Sequence, residues 1–497
     1  MAVLASEFFG WSVGQPLMQC PIESHRGRDM AVASWWGESL LEAGSDRYPW
    51  VISRTGEARS ELRSAVAGLS RALGDHGIGR GSTVMLRMRP SLTYVRVLVA
   101  LWSRGAQVVL VDFRSTPAEY GPPTELLRPQ FVIDSDHATA PAAGLAEEVE
   151  FRVRRAESGR PAASADCLVQ FSSGSTGRPK VIGRTPESLL AELGRHADLG
   201  ELPGAGEPFL LLNSIVHTMG LVSGVLHALH VGATVVLPPT PTPGDVLRLA
   251  QETGAVAIYG VPAHYELLTR TTDVPALPAL RLGLTGGERL PIEVYEEFHR
   301  RYGIRLSQVY GVTETGLLAA GLSGPRPPVL GTIVPGVEAK VVGEELYVRL
   351  DRSPYPLGDQ PDRYVDGWLR TYDRFAADET TGELSILGRL DSLVTIGGLK
   401  VDLTEVESVL RAHPRVSDTV VVHHEVIEAY VGGESAPTAS ELIAWCRDRL
   451  SPIKIPKRFL VARELPRNKT GKLVRDRNAI RSALRPDSEE SASDQQG

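Results

Sequence analysis

Between Ser60 and Asp112 the apolar residues change period repeatedly, and that alternation limits the fold more than any other feature of the chain. Leu62, Val66, Leu69 and Leu73 recur at helical spacing, and Thr83 to Leu86 then read as a strand. Val95, Leu98, Val99 and Trp102 share one face of a second helix, and Val108 to Val111 form another strand. Strands separated by helices call for parallel pairing, because a tight hairpin returns the chain antiparallel. The rhythm recurs where Leu247 and Leu249 precede Gly254 to Tyr259, and where Leu280 to Leu284 precede the turn Thr285-Gly286-Gly287-Glu288. The expected fold class is α/β, with a large N-terminal domain of parallel-rich sheets flanked by helices.

Past Glu344 the texture changes to short β segments, Leu346 to Leu350 and Leu384 to Leu387, which predicts a β-rich subdomain. A small α/β C-terminal domain is expected after that. Thr404 to Glu407 and Thr438 to Glu441 each fit a capping box, and Thr419 to Val422 and Ala429 to Val431 read as paired strands. The expected boundaries are a large domain over residues 1–388, a hinge at 389–391, a small mobile domain over 392–485 and a disordered acidic tail over 486–497.

With 497 residues, 42% of them hydrophobic, the chain has ample material for more than one core. A net charge of -7 lacks the basic surplus that a nucleic-acid partner would favour. Cys20, Cys167 and Cys446 are few, odd in number and far apart, which indicates neither a disulfide framework nor a zinc site and fits a cytoplasmic protein. The start MAVLASEFFG lacks the features of a secretory signal, and the longest apolar runs, such as Val97 to Trp102, are too short to cross a bilayer. No membrane partner is expected.

The stretch Leu168 to Thr185, LVQFSSGSTGRPKVIGRT, carries the first chemical signal. Leu168, Val169 and Phe171 read as a buried strand that breaks into Ser172, Ser173, Gly174, Ser175, Thr176 and Gly177, with Lys180 at the exit. Backbone N–H groups freed by the glycines, hydroxyl donors and one cation suit phosphate. Thr185-Pro186 then reads as an N-cap and the first turn of a helix. A Walker loop needs Gly-Lys-Ser/Thr, so Pro179 and Val181 on either side of Lys180 exclude a P-loop kinase or ATPase.

Four later stretches follow in order: Tyr310-Gly311-Val312-Thr313-Glu314, Gly367 to Asp373, Gly388 to Asp391, and Pro466-Arg467-Asn468-Lys469-Thr470-Gly471-Lys472. With the hydroxyl-rich loop, this series resembles the adenylate-forming superfamily of acyl-CoA synthetases, nonribosomal-peptide adenylation domains and beetle luciferase. The resemblance spans nearly the whole chain. It implies attack of a carboxylate on the α-phosphorus of ATP, giving an acyl-adenylate and pyrophosphate, with Mg2+ as the cation. It places Ser172 to Lys180 on the β- and γ-phosphates, Tyr310 and Gly311 at the adenine, and Thr313 at the α-phosphate. Glu314 is expected to hold magnesium, an oxygen-preferring ion. Gly286, Gly287 and Glu288 match the adenine-binding segment, Asp373 the ribose carboxylate, Arg389 a ribose or phosphate contact, Lys472 the catalytic lysine and Asp391 the pivot of small-domain rotation. In place of the usual Thr-Gly-Asp this chain has Thr371-Tyr372-Asp373. Tyrosine lacks glycine's backbone freedom, so the chain path or the packing beside the ribose is expected to differ.

His217 matches a histidine that lines the acyl pocket of aryl- and acyl-activating members. Thr218 stands beside it and no acid lies between Asn213 and Gly220, which disfavours an α-amino acid substrate. Tyr259, Gly260, Val261, Gly286 and Val312 are the other expected pocket positions, small or aromatic and suited to a flat ring. Lys180 to Thr185 resembles the corresponding run of aryl-acid-activating enzymes. The reading is thus an ATP-dependent ligase for an aryl or related small carboxylic acid; an aliphatic or β-amino acid is left open. The acceptor implied is coenzyme A or the phosphopantetheine of a separate carrier protein. Transfer to an amine or another small nucleophile, and a non-catalytic acyl or nucleotide sensor, are the alternatives. The presence of Glu314, Asp373, Arg389 and Lys472 argues for the enzyme.

Overall fold

A computed structural model describes residues 35–135, 148–172, 180–240, 242–272, 274–287, 290–389, 393–466, 473 and 477–484. The chain divides into a larger compact unit, drawn from residues up to Leu390, and a smaller one that holds Asp391–Gly497.

The larger unit contains two extensive sheets. The first has the strand order Phe151–Arg155, Phe131–Ser135, Thr83–Arg87, Gln107–Leu110, Leu168–Ser172, Lys180–Arg184. Its four central strands are parallel and its two outer strands antiparallel. Helix Leu92–Ser103 makes the crossover between Thr83–Arg87 and Gln107–Leu110, and starts because Ser91 Oγ accepts the Tyr94 N–H at 3.0 Å. The outer strand Lys180–Arg184 is pinned at its free edge, where the Gly183 N–H donates to Pro354 O at 2.8 Å.

The second sheet begins as a parallel array of Val51–Ile52, Thr234–Val236, Pro208–Leu211, Ala257–Gly260, Leu282–Gly286 and Leu306–Val312. Its strands are mostly apolar and largely buried because both faces are covered. Leu211, Tyr259 and Leu284 share a core with Leu221, Val222 and Val225, whereas Leu210 and Ile258 share another with Val246, Leu249 and Phe298. Each such side chain contributes about 1.5–3 kcal/mol by leaving water. At Leu306–Val312 the sheet changes character. Its next neighbour, Gly316–Gly321, is antiparallel, and Val329–Ile333, Leu384–Arg389, Trp368–Ala377, Glu345–Arg349 and Ala339–Val342 continue in that manner. The α/β and β-rich textures of the sequence are therefore two halves of one hydrogen-bonded surface.

Thr185 caps helix Pro186–Ala197 as its sequence implies, with Oγ1 accepting the Ser188 N–H at 3.2 Å. A π-helical segment over Met219–Leu226, absent from the sequence reading, follows the candidate acyl-binding loop directly. It is a form often seen next to functional sites.

The smaller unit has a hairpin, Leu393–Ile396 with Leu399–Asp402, and a sheet of Asp418–His423, Ile427–Gly432 and Arg458–Ala462. The capping box at Thr438 forms, with the Thr438 N–H on Glu441 Oε2 at 2.8 Å and the Glu441 N–H on Thr438 Oγ1 at 3.3 Å. The Thr404 side chain of the other expected box lies outside the described ones. The helix there begins at Leu403, and the buried Glu407 carboxylate accepts the Val421 N–H at 2.9 Å, which satisfies a buried strand donor. Cys167 and Cys446 are free and buried, and burial pushes both thiols up, Cys446 to about 12. Neither is a thiolate at neutral pH. Among the described residues no helix is long and apolar enough to cross a membrane.

Candidate active site

Parallel strands deliver their C-terminal ends to one edge of a sheet, and that edge is where open α/β sheets bind ligands. Pro208–Leu211, Ala257–Gly260, Leu282–Gly286 and Leu306–Val312 together bring Asn213 to Thr218, Gly260, Gly286-Gly287 and Val312-Thr313-Glu314 to the same edge. At Gly286 a Cβ would stand 2.7 Å from Val309 O, so the strands can approach there only without a side chain. At Gly311 the register slips by one residue and a Cβ would lie 2.4 Å from Gly316 O. The hairpin closes tightly there and leaves Thr313 and Glu314 partly exposed at its tip.

Two carboxylates approach this hairpin through tyrosines. Tyr310 donates its hydroxyl to Asp373 Oδ2 at 2.7 Å, with both residues buried and the Tyr310 ring edge-on to Phe375 at 4.9 Å. Tyr355 donates to Glu314 Oε1 at 2.9 Å. Burial, then the Glu314 charge, push the Tyr355 phenol upward, so it remains a donor at any working pH. The register of the antiparallel half sets Arg389 opposite Asp373. Between Thr371 and Asp373 the backbone of Tyr372 is left-handed, at φ +61°. Tyr372 thus adopts a left-handed conformation of the kind glycine takes without strain, and its ring adds packing that a glycine would lack.

Lys180, an expected phosphate contact, is buried opposite Ser172 in the hairpin Leu168–Ser172 with Lys180–Arg184. Ser173, Gly174, Ser175, Thr176, Gly177, Glu288, Asp391 and Lys472 lie outside the described residues. Gln170, on the strand Leu168–Ser172, reaches the loop that carries His217: its Nε2 donates to Val216 O at 3.3 Å, and Thr218 donates to its Oε1 at 3.0 Å. Thr218 therefore uses its hydroxyl to hold the loop. Tyr259 is fully buried against Phe209, with ring centroids 4.7 Å apart, and supports the strand end that carries Gly260.

His217 is partly exposed, and its Nε2 lies 3.5 Å from Asp112 Oδ2. The sequence reading did not single out Asp112, Tyr355, Gln170 or Glu192. For Asp112 a signal existed, since a carboxylate follows the strand Val108 to Val111 at its C-terminal end. Tyr355 sits among turns with no pattern to mark it.

The AMP-binding enzyme family description matches residues 58–351, more than half of the chain, and the AMP-binding enzyme C-terminal domain matches residues 405–472. The chain belongs to the AMP-binding enzyme family. It is an adenylate-forming ligase, and several of its relatives are named CoA ligases, among them a long-chain-fatty-acid–CoA ligase of Bacillus subtilis. The p-hydroxybenzoic acid–AMP ligase FadD22 of Mycobacterium tuberculosis is 26% identical over 504 residues, covering 92% of this AMP-binding enzyme and 70% of the relative. Two solved structures share the fold. O-succinylbenzoate CoA synthetase MenE of Bacillus subtilis has a TM-score of 0.76 at 24% identity, covering 90% of this chain and 98% of that one. The amide bond synthetase McbA of Marinactinospora thermotolerans also has a TM-score of 0.76, at 21% identity, covering 91% and 100%.

Proposed function

We propose that this ligase adenylates an aromatic or related non-α-amino carboxylic acid with ATP and then passes the acyl group to a thiol, that of coenzyme A or of a carrier protein's phosphopantetheine. The observation that carries the nucleotide part is the pairing of Tyr310 with Asp373 at 2.7 Å beside the hairpin that bears Glu314. An aromatic platform and a buried carboxylate suit a base and the hydroxyls of its sugar. For the acid, Asp112 faces His217 at 3.5 Å rather than standing alone to receive a substrate ammonium. The name of the mycobacterial relative, a p-hydroxybenzoic acid ligase, supports an aryl substrate.

In the first step a carboxylate oxygen forms a bond to the α-phosphorus as the bond to pyrophosphate breaks. Two anions meet, so placed positive charge governs the barrier. Lys180 and the loop hydroxyls hold the β- and γ-phosphates, Thr313 orients the α-phosphate, Asp373 and Arg389 hold the ribose, and Lys472 bridges the carboxylate and the α-phosphate. Glu314, a hard oxygen donor partly exposed at the hairpin tip, fits a magnesium ion, which when bound offsets phosphate charge. In the second step the thiol sulfur attacks the acyl carbonyl and AMP leaves.

A second acceptor reading rests on the same pair. His217 backed by Asp112 can take a proton, which an ammonium nucleophile must lose before it attacks an acyl-adenylate. The test is pyrophosphate exchange across a panel of carboxylic acids, followed by trapping of the adenylate with coenzyme A or with primary amines. Exchange with at least one aromatic acid and weak exchange with α-amino acids are expected. Strong exchange with an α-amino acid alone overturns the substrate reading, and amide without thioester overturns the thiol.

A further inference from the structure

Tyr372 is held in its left-handed conformation from two sides. Its N–H donates to Glu345 Oε1 at 3.1 Å, and the buried Glu345 also receives Arg370 at 2.7 Å and the Tyr347 hydroxyl at 3.1 Å. The pairing with Glu345–Arg349 slips between Arg370 and Arg374, a stretch that contains Asp373, and the pairing with Leu384–Arg389 slips at Arg374–Phe375. The ring is covered by guanidinium groups, with the Arg363 carbon 4.3 Å and the Arg370 carbon 4.7 Å from its centroid. Only an aromatic side chain offers these cations a face, which glycine does not.

Arg363 is itself buried, and its positive charge acts on the Tyr355 hydroxyl, the group that donates to Glu314 at 2.9 Å. The Arg363 charge thus links the Tyr355 hydroxyl on Glu314 to the ring of Tyr372, whose backbone leads directly into Asp373. Asp373 is further fixed by its own N–H, which donates to Thr371 Oγ1 at 3.1 Å, while Thr371 donates to Leu346 O at 2.8 Å.

We infer that Tyr372 is a positioning residue that, with Arg363 and Tyr355, couples the placement of the ribose-facing carboxylate Asp373 to that of the metal-facing carboxylate Glu314. This rests on the proposed roles of those two carboxylates. Its consequence is remote: cutting the path at Tyr355, which touches Glu314, degrades recognition of the sugar.

The experiment measures binding of AMP and of 2′-deoxy-AMP to the full-length protein by calorimetry, which needs no knowledge of the acid substrate. The ratio of the two affinities reports sugar recognition and cancels any loss of folded protein. Tyr355→Phe and Tyr372→Gly should each lower that ratio by at least about fivefold, the lower end of an ordinary coupling between sites. The double variant should lose no more than the larger single effect, because both cut one path. Tyr372→Phe keeps the ring and should retain the wild-type ratio. Asp373→Asn serves as the reference. If Asp373→Asn leaves the ratio unchanged, the ribose reading fails and the coupling with it. If Asp373→Asn lowers the ratio but Tyr355→Phe changes it by less than twofold, or the two effects multiply in the double variant, the coupling alone is overturned.

Discussion

Replacing Glu192 by alanine tests how the Lys180 hairpin and the Glu314 hairpin are held in register. Glu192 is wholly buried, its Oε2 accepts Arg184 Nη2 at 2.9 Å, and its Oε1 accepts the Leu317 N–H at 3.2 Å. Arg184 ends the strand that begins at Lys180, and Leu317 lies three residues beyond Glu314. Arg184 keeps Ser188 Oγ at 3.0 Å and Ser188 O at 3.1 Å when the carboxylate is removed, but its charge loses its counterion. Breaking a buried ion pair on one side costs about 3–5 kcal/mol. Of this, the abandoned Leu317 N–H accounts for about 1–3 kcal/mol. Glu192→Ala should therefore lower the unfolding free energy of the large unit by about 3–5 kcal/mol, a drop in melting temperature on the order of 5 °C for a unit of this size. The double variant Arg184→Met/Glu192→Leu should lose only the N–H part, about 1–3 kcal/mol, since no charge is stranded. The assay is urea unfolding followed by tryptophan fluorescence, with the KM for ATP measured in pyrophosphate exchange. A single-variant loss below about 1 kcal/mol, or a double variant less stable than the single, would refute the reasoning.

Lys472→Ala should reduce adenylation on the order of 10²-fold or more while AMP still binds, because the motif matches a lysine that acts where charge develops; near-normal adenylation removes that role. Asp391→Pro restricts φ at the expected pivot and should slow acyl transfer to thiol while sparing adenylation. Equal loss in both half-reactions of a well-folded variant, or unimpaired transfer, speaks against a pivot there. His227 is buried, donates from Nε2 to Pro203 O at 3.1 Å and has its pKa lowered to about 3, chiefly by desolvation. The folded protein keeps it neutral while the unfolded chain takes a proton below about 6.5, so stability falls as pH drops from there toward 3, by at most about 1.4 kcal/mol per pH unit. His227→Leu should flatten that dependence; an unchanged slope between pH 6.5 and 4 refutes the assignment.

Local pattern determined much of this protein. The strands at Thr83 and Val108, the helix between them and the Thr185 and Thr438 caps follow from period and capping chemistry, which act over a few residues. The hydroxyl-rich loop and Tyr310 to Glu314 could be read as chemistry because their groups are contiguous in the chain. Tertiary structure alone decided which distant groups meet. Tyr310 and Asp373 are 63 residues apart, and no local period encodes their 2.7 Å contact. The same holds for Asp112 beside His217 and for Tyr355 on Glu314. At Tyr372 the local preference was overruled outright, and at Glu407 a distant strand took the carboxylate. A buried N–H at Val421 required an acceptor, and the Tyr372 N–H and ring found a buried carboxylate and two guanidiniums. An unsatisfied group in a water-free interior costs more than a disfavoured φ, so long-range partners set the final geometry of this site.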